Sequence, residues 1–196
     1  MLTAIKYCLG NLANFAGRDA RPTFWWYLLF LLIVQFVAGL LISIPLVVDS
    51  ATTAYDAAQS GADQAQMQSQ LMAQMGENLA STIWLSLAVS AVTTLMLLAA
   101  FVRRLHDGGF TGWIAAIPLA TQAIAMVVAV RSVDVIREAF AQGSGTPANI
   151  EAMQAQVQQD PLNYVAWIGY LVVIVFGVWK SQPGANRYGA EPALLG

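Results

Sequence analysis

The chain has one cysteine, Cys8, and one histidine, His106. A single thiol cannot form an intrachain disulfide, a redox pair or a zinc cluster. A single imidazole with only Asp107 and other carboxylates to join it makes a poor metal site. Charge is scarce too, with Asp, Glu, Lys and Arg making up 10% of 196 residues, against roughly 25% in an average soluble domain. No GxSxG, HExxH, Walker A or Rossmann fingerprint occurs. The basic residues do not gather into a stripe that could track a nucleic-acid backbone. These absences argue against an enzyme, and no catalytic residue, cofactor, metal or nucleic-acid partner is expected.

What the chain has in abundance is apolar sequence. Residues of hydrophobic type account for 58% of it. Four windows hold no charged residue and no histidine: Pro22–Val48, Asn78–Val102, Gly108–Val130 and Pro161–Trp179. Crossing a hydrocarbon core of about 30 Å takes roughly 20 helical residues. A soluble helix of that length carries a charged face, and none of these windows has one. A transmembrane barrel would need many short alternating segments, whereas LLFLLIVQFVAGLLISIPLVV is one continuous run. The expected fold is an all-α membrane protein, a single domain of four transmembrane helices arranged as two hairpins. The spans are placed at about 22–48, 79–102, 111–130 and 162–179. Lys6 is followed by Asn11, Asn14, Arg18, Asp19 and Arg21 before the apolar run begins, unlike the short apolar core of a signal peptide. The first span therefore reads as an uncleaved anchor.

Charge asymmetry orients these spans. Segments 1–21, 103–107 and 180–196 hold Lys6, Arg18, Arg21, Arg103, Arg104, Lys180 and Arg187. Segments 49–78 and 131–161 hold Arg131 and Arg137 but Asp49, Asp56, Asp63, Glu77, Asp134, Glu138, Glu151 and Asp160. The positive-inside rule puts the first set in the cytoplasm, with both termini there. Phe24, Trp25, Trp26, Tyr27, Trp113, Tyr164, Trp167 and Trp179 lie near span ends, as interfacial anchors do. Pro22 and Pro161 suit the first turn of a helix. Pro45 and Pro118 would each kink or end one, and a kink at Pro118 would open a small vestibule.

The outer segments contain AQMQSQLMAQM and IEAMQAQVQQD. Met67, Leu71, Met75 and Leu79 recur every four residues, while Ile150, Met153 and Val157 recur at three and four. Both patterns suit amphipathic helices, lying on the membrane or stacked over the spans. The GSGTP stretch, Gly143–Pro147, is a break before the second. The alike outer segments fit either a parallel internal repeat or independent convergence on Gln- and Ala-rich helix. Near the N-terminus, Leu2, Ile5, Leu9, Leu12 and Phe15 recur at helical spacing, suggesting a short interfacial helix with Lys6 near headgroups, which Gly10 weakens.

Three polar clusters share the basic side: Asn14–Pro22, Arg103–Trp113 and Gly184–Pro192. The second joins two spans through a tight, glycine-rich connection. Arg103 and Arg104 there read either as a stop-transfer pair with a turn or as a site for an anionic headgroup or ligand. Asp107 is close enough in sequence to fold back on an arginine or His106, and His106 could titrate near neutral pH. Arg18 and Arg21, three apart, could share one helical face. In the third cluster, Asn186 suits a turn, and Arg187 and Tyr188 would pack on the other loops. The candidate headgroup or partner site is Arg18, Arg21, Arg103, Arg104, His106, Asp107, Asn186, Arg187 and Tyr188.

The chain resembles the bacterial inner-membrane family catalogued as domain of unknown function 805. Matching pieces are Phe15, Gly17, Arg18, Arg21, Phe24 and Trp25; then Arg103, Arg104, Leu105, His106, Asp107, Gly109, Gly112 and Trp113; then Gly184, Asn186, Arg187, Tyr188, Gly189 and Pro192. Thr111 stands where the family usually has serine or a similar small residue, and the outer segments exceed those of shorter members. The resemblance implies a small multi-span membrane protein and supplies no reaction. Two functions remain in view. One is a scaffold or lipid- or partner-binding subunit with an Arg-rich cytoplasmic face, partnered by anionic lipids, a further copy or another membrane protein. The alternative is an oligomeric transporter or channel for a small solute, with Gln35, Thr93, Thr94 and Gln122 lining a weakly polar route.

Overall fold

The computed structural model describes residues 1–59, 64–141, 155 and 161–194. Among them the regular elements are helical: α1 Leu2–Gly10, α2 Arg21–Gln59, α3 Gln64–Asp107, a 3-10 turn Gly112–Ala115, α4 Ala116–Ala141 and α5 Pro161–Val178. Three stretches are long and apolar enough to cross a membrane: Arg21–Asp56, Ser81–Asp107 and Gly112–Val135. The fourth apolar stretch, Tyr164–Val178 within α5, is shorter.

Helices α2 and α3 overrun the expected outer segments. Residues 49–59 continue α2 without a break, and residues 64–78 belong to α3. The separate amphipathic helix expected around Met67–Leu79 is therefore the leading part of a longer helix, as its Ala and Gln content favours. The side chains of that stretch, together with Ile150, Met153, Val157 and the GSGTP break, lie outside the described residues. Pro45 sits inside α2 and does not end it. Pro118 falls in the first turn of α4, after the 3-10 turn, where a missing N–H leaves no helical bond unmade. It starts that helix rather than kinking it.

The chain divides into two compact units. Unit 2 holds residues 37–89 and 126–163. Within it Val128 and Val133 are buried, and Asn78 donates to Asp49 at 3.1 Å. Unit 1 holds residues 1–36, 90–125 and 164–196 and contains every candidate site residue. Its apolar core joins Cys8 of α1, Phe24, Tyr27 and Leu31 of α2, Phe101 and Leu105 of α3, Ala115, and Val173 of α5. Phe110 packs edge-on against Phe176 and Trp179 at the far side of the turn after α3.

The burial pattern inverts that of a water-soluble protein. Leu32, Ile33, Phe36, Leu40, Leu41 and Ile44 on α2 are each more than half exposed, while Arg103 and Arg104 are the largest fully buried side chains. A soluble domain keeps arginine outside unless it is paired and leaves few contiguous apolar faces bare. A hydrocarbon solvent makes this arrangement the favourable one.

Close helix packing in unit 1 depends on glycine. A Cβ at Gly169 of α5 would stand 2.1 Å from the Thr121 hydroxyl and 3.2 Å from the Pro118 Cα of α4. Thr121 is buried and its hydroxyl donates to the Pro118 carbonyl at 3.0 Å. Gly169→Ala is expected to destabilise the protein by about 1–3 kcal/mol in thermal unfolding in detergent, with partial recovery on adding Thr121→Ala. An unchanged melting temperature would contradict the packing.

Candidate functional site

The last turns of α3 read FVRRLHD, and three arginines of unit 1 converge around them. Arg103, Arg104 and Asp107 are fully buried, and Arg18 and Asp19 nearly so. Arg103 Nε donates to Asp19 Oδ2 at 3.0 Å, and its Nη1 donates to the carbonyls of Asn11, at 2.9 Å, and Asn14. Arg104 donates through Nη1 to Asp107 Oδ2, through Nε to Gly177 O at 3.1 Å, and through Nη2 to Trp179 O. Arg18 reaches the other oxygen of Asp107, with Nη2 at 3.0 Å. Its remaining N–H groups donate to the carbonyls of Gln182 and Gly184, both at 2.6 Å. A guanidinium offers five donors in a fixed fork, so each arginine can pair with one carboxylate and still hold backbone carbonyls.

Backbone bonds complete this knot. The Asp19 N–H donates to Arg103 O at 3.2 Å, and the Gln182 N–H donates to Asp107 O at 2.9 Å. Gly109, at φ +81°, turns the chain after α3, where a Cβ would stand 2.2 Å from the Gln182 amide. The glycine is there because the tail occupies that space.

The tail builds a second layer. Asn186 and Gly189 exchange backbone hydrogen bonds at 3.0 Å, and the Asn186 side chain accepts from the Tyr188 N–H while donating to His106 O at 3.0 Å. The Tyr188 ring stacks on His106 at 3.8 Å with a 6° interplanar angle, and the Arg187 guanidinium lies over the Tyr188 ring, 4.7 Å from its centroid. His106 Nδ1 is 3.3 Å from Gly17 O.

The nine expected residues therefore divide. Arg18, Arg103, Arg104 and Asp107 form the buried knot; His106, Asn186, Arg187 and Tyr188 form the tail contact beside it. Arg21 is exposed. It does not share a helical face with Arg18, because Arg18 precedes α2 and follows Gly17 at φ +90°. Fully enclosed arginines reach a headgroup only by breaking their own ion pairs. The basic groups of unit 1 that face outward are Lys6, Arg21, Lys180 and Arg187.

Sequence reasoning left out Asp19, the buried partner of Arg103, and the carbonyls of Asn11, Asn14, Gly177 and Trp179. Asp19 lies between Arg18 and Arg21 in the sequence, whereas its partner Arg103 lies 84 residues away. Burial pushes the Asp19 carboxyl above the ordinary carboxylate range, against the pull of Arg103 and the Tyr7 hydroxyl beside it. Burial likewise holds the Cys8 thiol up at about 11, so it stays protonated and unreactive at neutral pH. Asp19 Oδ1, Thr23 Oγ1 and Arg103 Nη2 are buried without a hydrogen-bond partner among the described residues.

Removing Asp107 leaves two buried guanidiniums without their carboxylate. Asp107→Ala is expected to lose about 3–5 kcal/mol of stability in detergent unfolding, while Lys180→Ala at an exposed position stays within about 0.5 kcal/mol of the parent. A loss below about 1 kcal/mol for Asp107→Ala would contradict a tightly coupled knot.

No curated protein and no solved structure matches the chain. A family model does, over residues 12–190, a stretch that takes in Arg18, Arg103, Arg104 and Asp107 of the knot. The chain belongs to the family described as "Protein of unknown function (DUF805)".

Proposed function

We propose that this is a four-span protein of a bacterial inner membrane, with both termini in the cytoplasm, that acts as a non-catalytic scaffold holding anionic lipid headgroups at its basic face. The observation that carries this reading is the division of labour among the cations of unit 1. Arg18, Arg103 and Arg104 are enclosed by the protein's own carboxylates and carbonyls, while Lys6, Arg21, Lys180 and Arg187 face outward. In the same unit Trp26, Trp113 and Trp179 are exposed, Trp113 at 84%. Exposed tryptophan together with exposed lysine and arginine is the composition of a membrane–water boundary. The fourth span is α5, whose apolar stretch is short for the bilayer and whose flanking Trp179 and Lys180 suit the interface.

The alternative of an oligomeric transporter or channel draws on the same polar groups within the spans. Three of those groups are engaged between helices: Thr93 donates to Gln35 at 2.9 Å, and Gln122 donates to Ser90 at 2.7 Å. Such pairs serve as contacts between helices, which favours the scaffold.

Each lysine or arginine near an anionic surface contributes about 1 kcal/mol. Neutralising Lys6, Arg21, Lys180 and Arg187 together is expected to reduce retention of phosphatidylglycerol on the purified protein at least about tenfold, read by native mass spectrometry, with the spans still inserted. Unchanged retention would overturn the headgroup reading. Solute flux in vesicles that is lost on changing Gln35 or Gln122 would favour the transporter instead.

A further inference from the structure

Helix α1 carries three distinct faces. Ala4 and Cys8, continued by Asn11 in the following turn, form the face against the protein; Ala4 is 0% and Cys8 1% exposed. Leu2, Ile5 and Leu9, continued by Leu12, form an apolar face, on which Leu2 is 67%, Leu9 36% and Leu12 37% exposed. Thr3, Lys6 and Gly10 form a third, exposed and polar. The spacings of three, four and seven residues place each set on its own side of the helix. A helix docked on a protein in water needs only a packed side and a polar side. The third, apolar side requires a different solvent.

The depth of α1 supplies that solvent. Cys8 packs in one cluster with Phe24 and Tyr27 in the first turns of α2 and with Phe101 and Leu105 in the last turns of α3. Those turns are the ends of two apolar stretches long enough to cross a membrane, so α1 lies level with their ends, beside continuous apolar surface. Arg103 fixes it there, donating to Asn11 O and Asn14 O just past the helix and standing 5.5 Å from the Tyr7 ring centroid. Phe15, just past the clamp in sequence, is 45% exposed.

We propose that α1 is a half-inserted interfacial helix whose Leu2, Ile5, Leu9 and Leu12 face lies in the boundary between lipid headgroups and acyl chains, with Lys6 directed to the headgroups and Arg103 as the buried residue that sets its depth. The assignment rests on the membrane reading above but not on headgroup retention by the exposed cations. A lipid monolayer is the occupant because the apolar face adjoins the apolar ends of the spans and borders a lysine on its polar side.

Site-directed spin labelling with power saturation in liposomes tests this. Cys8→Ala removes the native thiol, and Leu9→Cys, Lys6→Cys and, on α2, Leu40→Cys each supply one label. The expected result is a label at position 9 relaxed mainly by oxygen, as at position 40, and a label at position 6 relaxed mainly by an aqueous nickel chelate. Position 9 matching position 6 would place α1 in water and overturn the proposal while position 40 upholds the membrane reading. Protection of position 9 from both relaxants would mean that a second copy or another protein covers the face, which also overturns it. If position 40 is itself open to the chelate, the membrane reading fails and this proposal with it. In the Arg103→Gln background, the difference between positions 9 and 6 is expected to fall by at least half; an undiminished difference would remove Arg103 from the role of setting depth.

Discussion

Everything in unit 1 is organised around arginine side chains that have no access to solvent. Desolvating a charge is unfavourable by several kcal/mol unless a partner and a full set of hydrogen bonds replace the water. Three guanidiniums face two carboxylates here, and Asp107 serves both Arg18 and Arg104. The excess positive charge is met by backbone carbonyls. Asn11 and Asn14 after α1, Gly177 and Trp179 at the end of α5, and Gln182 and Gly184 in the tail all turn oxygen toward the knot. Lysine in these places would supply charge without the planar fork that lets one side chain join a carboxylate and two separate loops.

This constraint links local sequence to the arrangement of the segments around α3. The irregular stretches before α2 and after α5 have no regular secondary structure of their own to hold them. The N-terminal stretch is held by Arg103 and through Asp19, and the tail by Arg18, Arg104 and the His106–Tyr188 stack. Glycine at positions 109 and 177 clears the approach. Its absence of a side chain admits Gln182 at one and the rings of Phe24 and Trp25 at the other. The same enclosure leaves Lys6, Arg21, Lys180 and Arg187 as the basic side chains of unit 1 that face outward.

The apolar elements were legible because lipid imposes a simple rule, that about 20 uncharged residues must run together, and α2, α3 and α4 obey it. Their ends were less legible. Nothing in the Gln- and Ala-rich stretch beyond Val48 distinguishes a new helix from a longer old one, and α2 continues to Gln59. The RRLHD motif was recognisable as unusual, but its chemistry is set by pairings across 84 and 89 residues that no local pattern encodes. Arg18 and Arg21 illustrate the limit. Three-residue spacing suggests a shared face only if both belong to one helix, and α2 begins at Arg21. The tail was better signalled, since Asn186 and Gly189 are turn-forming residues and do form the turn that presents Tyr188.

The central claim is that an internal arginine, rather than contact with lipid, holds the tail in place. Hydrogen–deuterium exchange on Arg18→Gln in detergent tests it directly, since the tail amides of Gln182, Asn186 and Gly189 are all bonded in the parent. The account predicts that exchange over residues 181–190 rises to that of an open loop while the interior of α2 and α3 stays protected. Parent-like protection of the tail in that variant would contradict it.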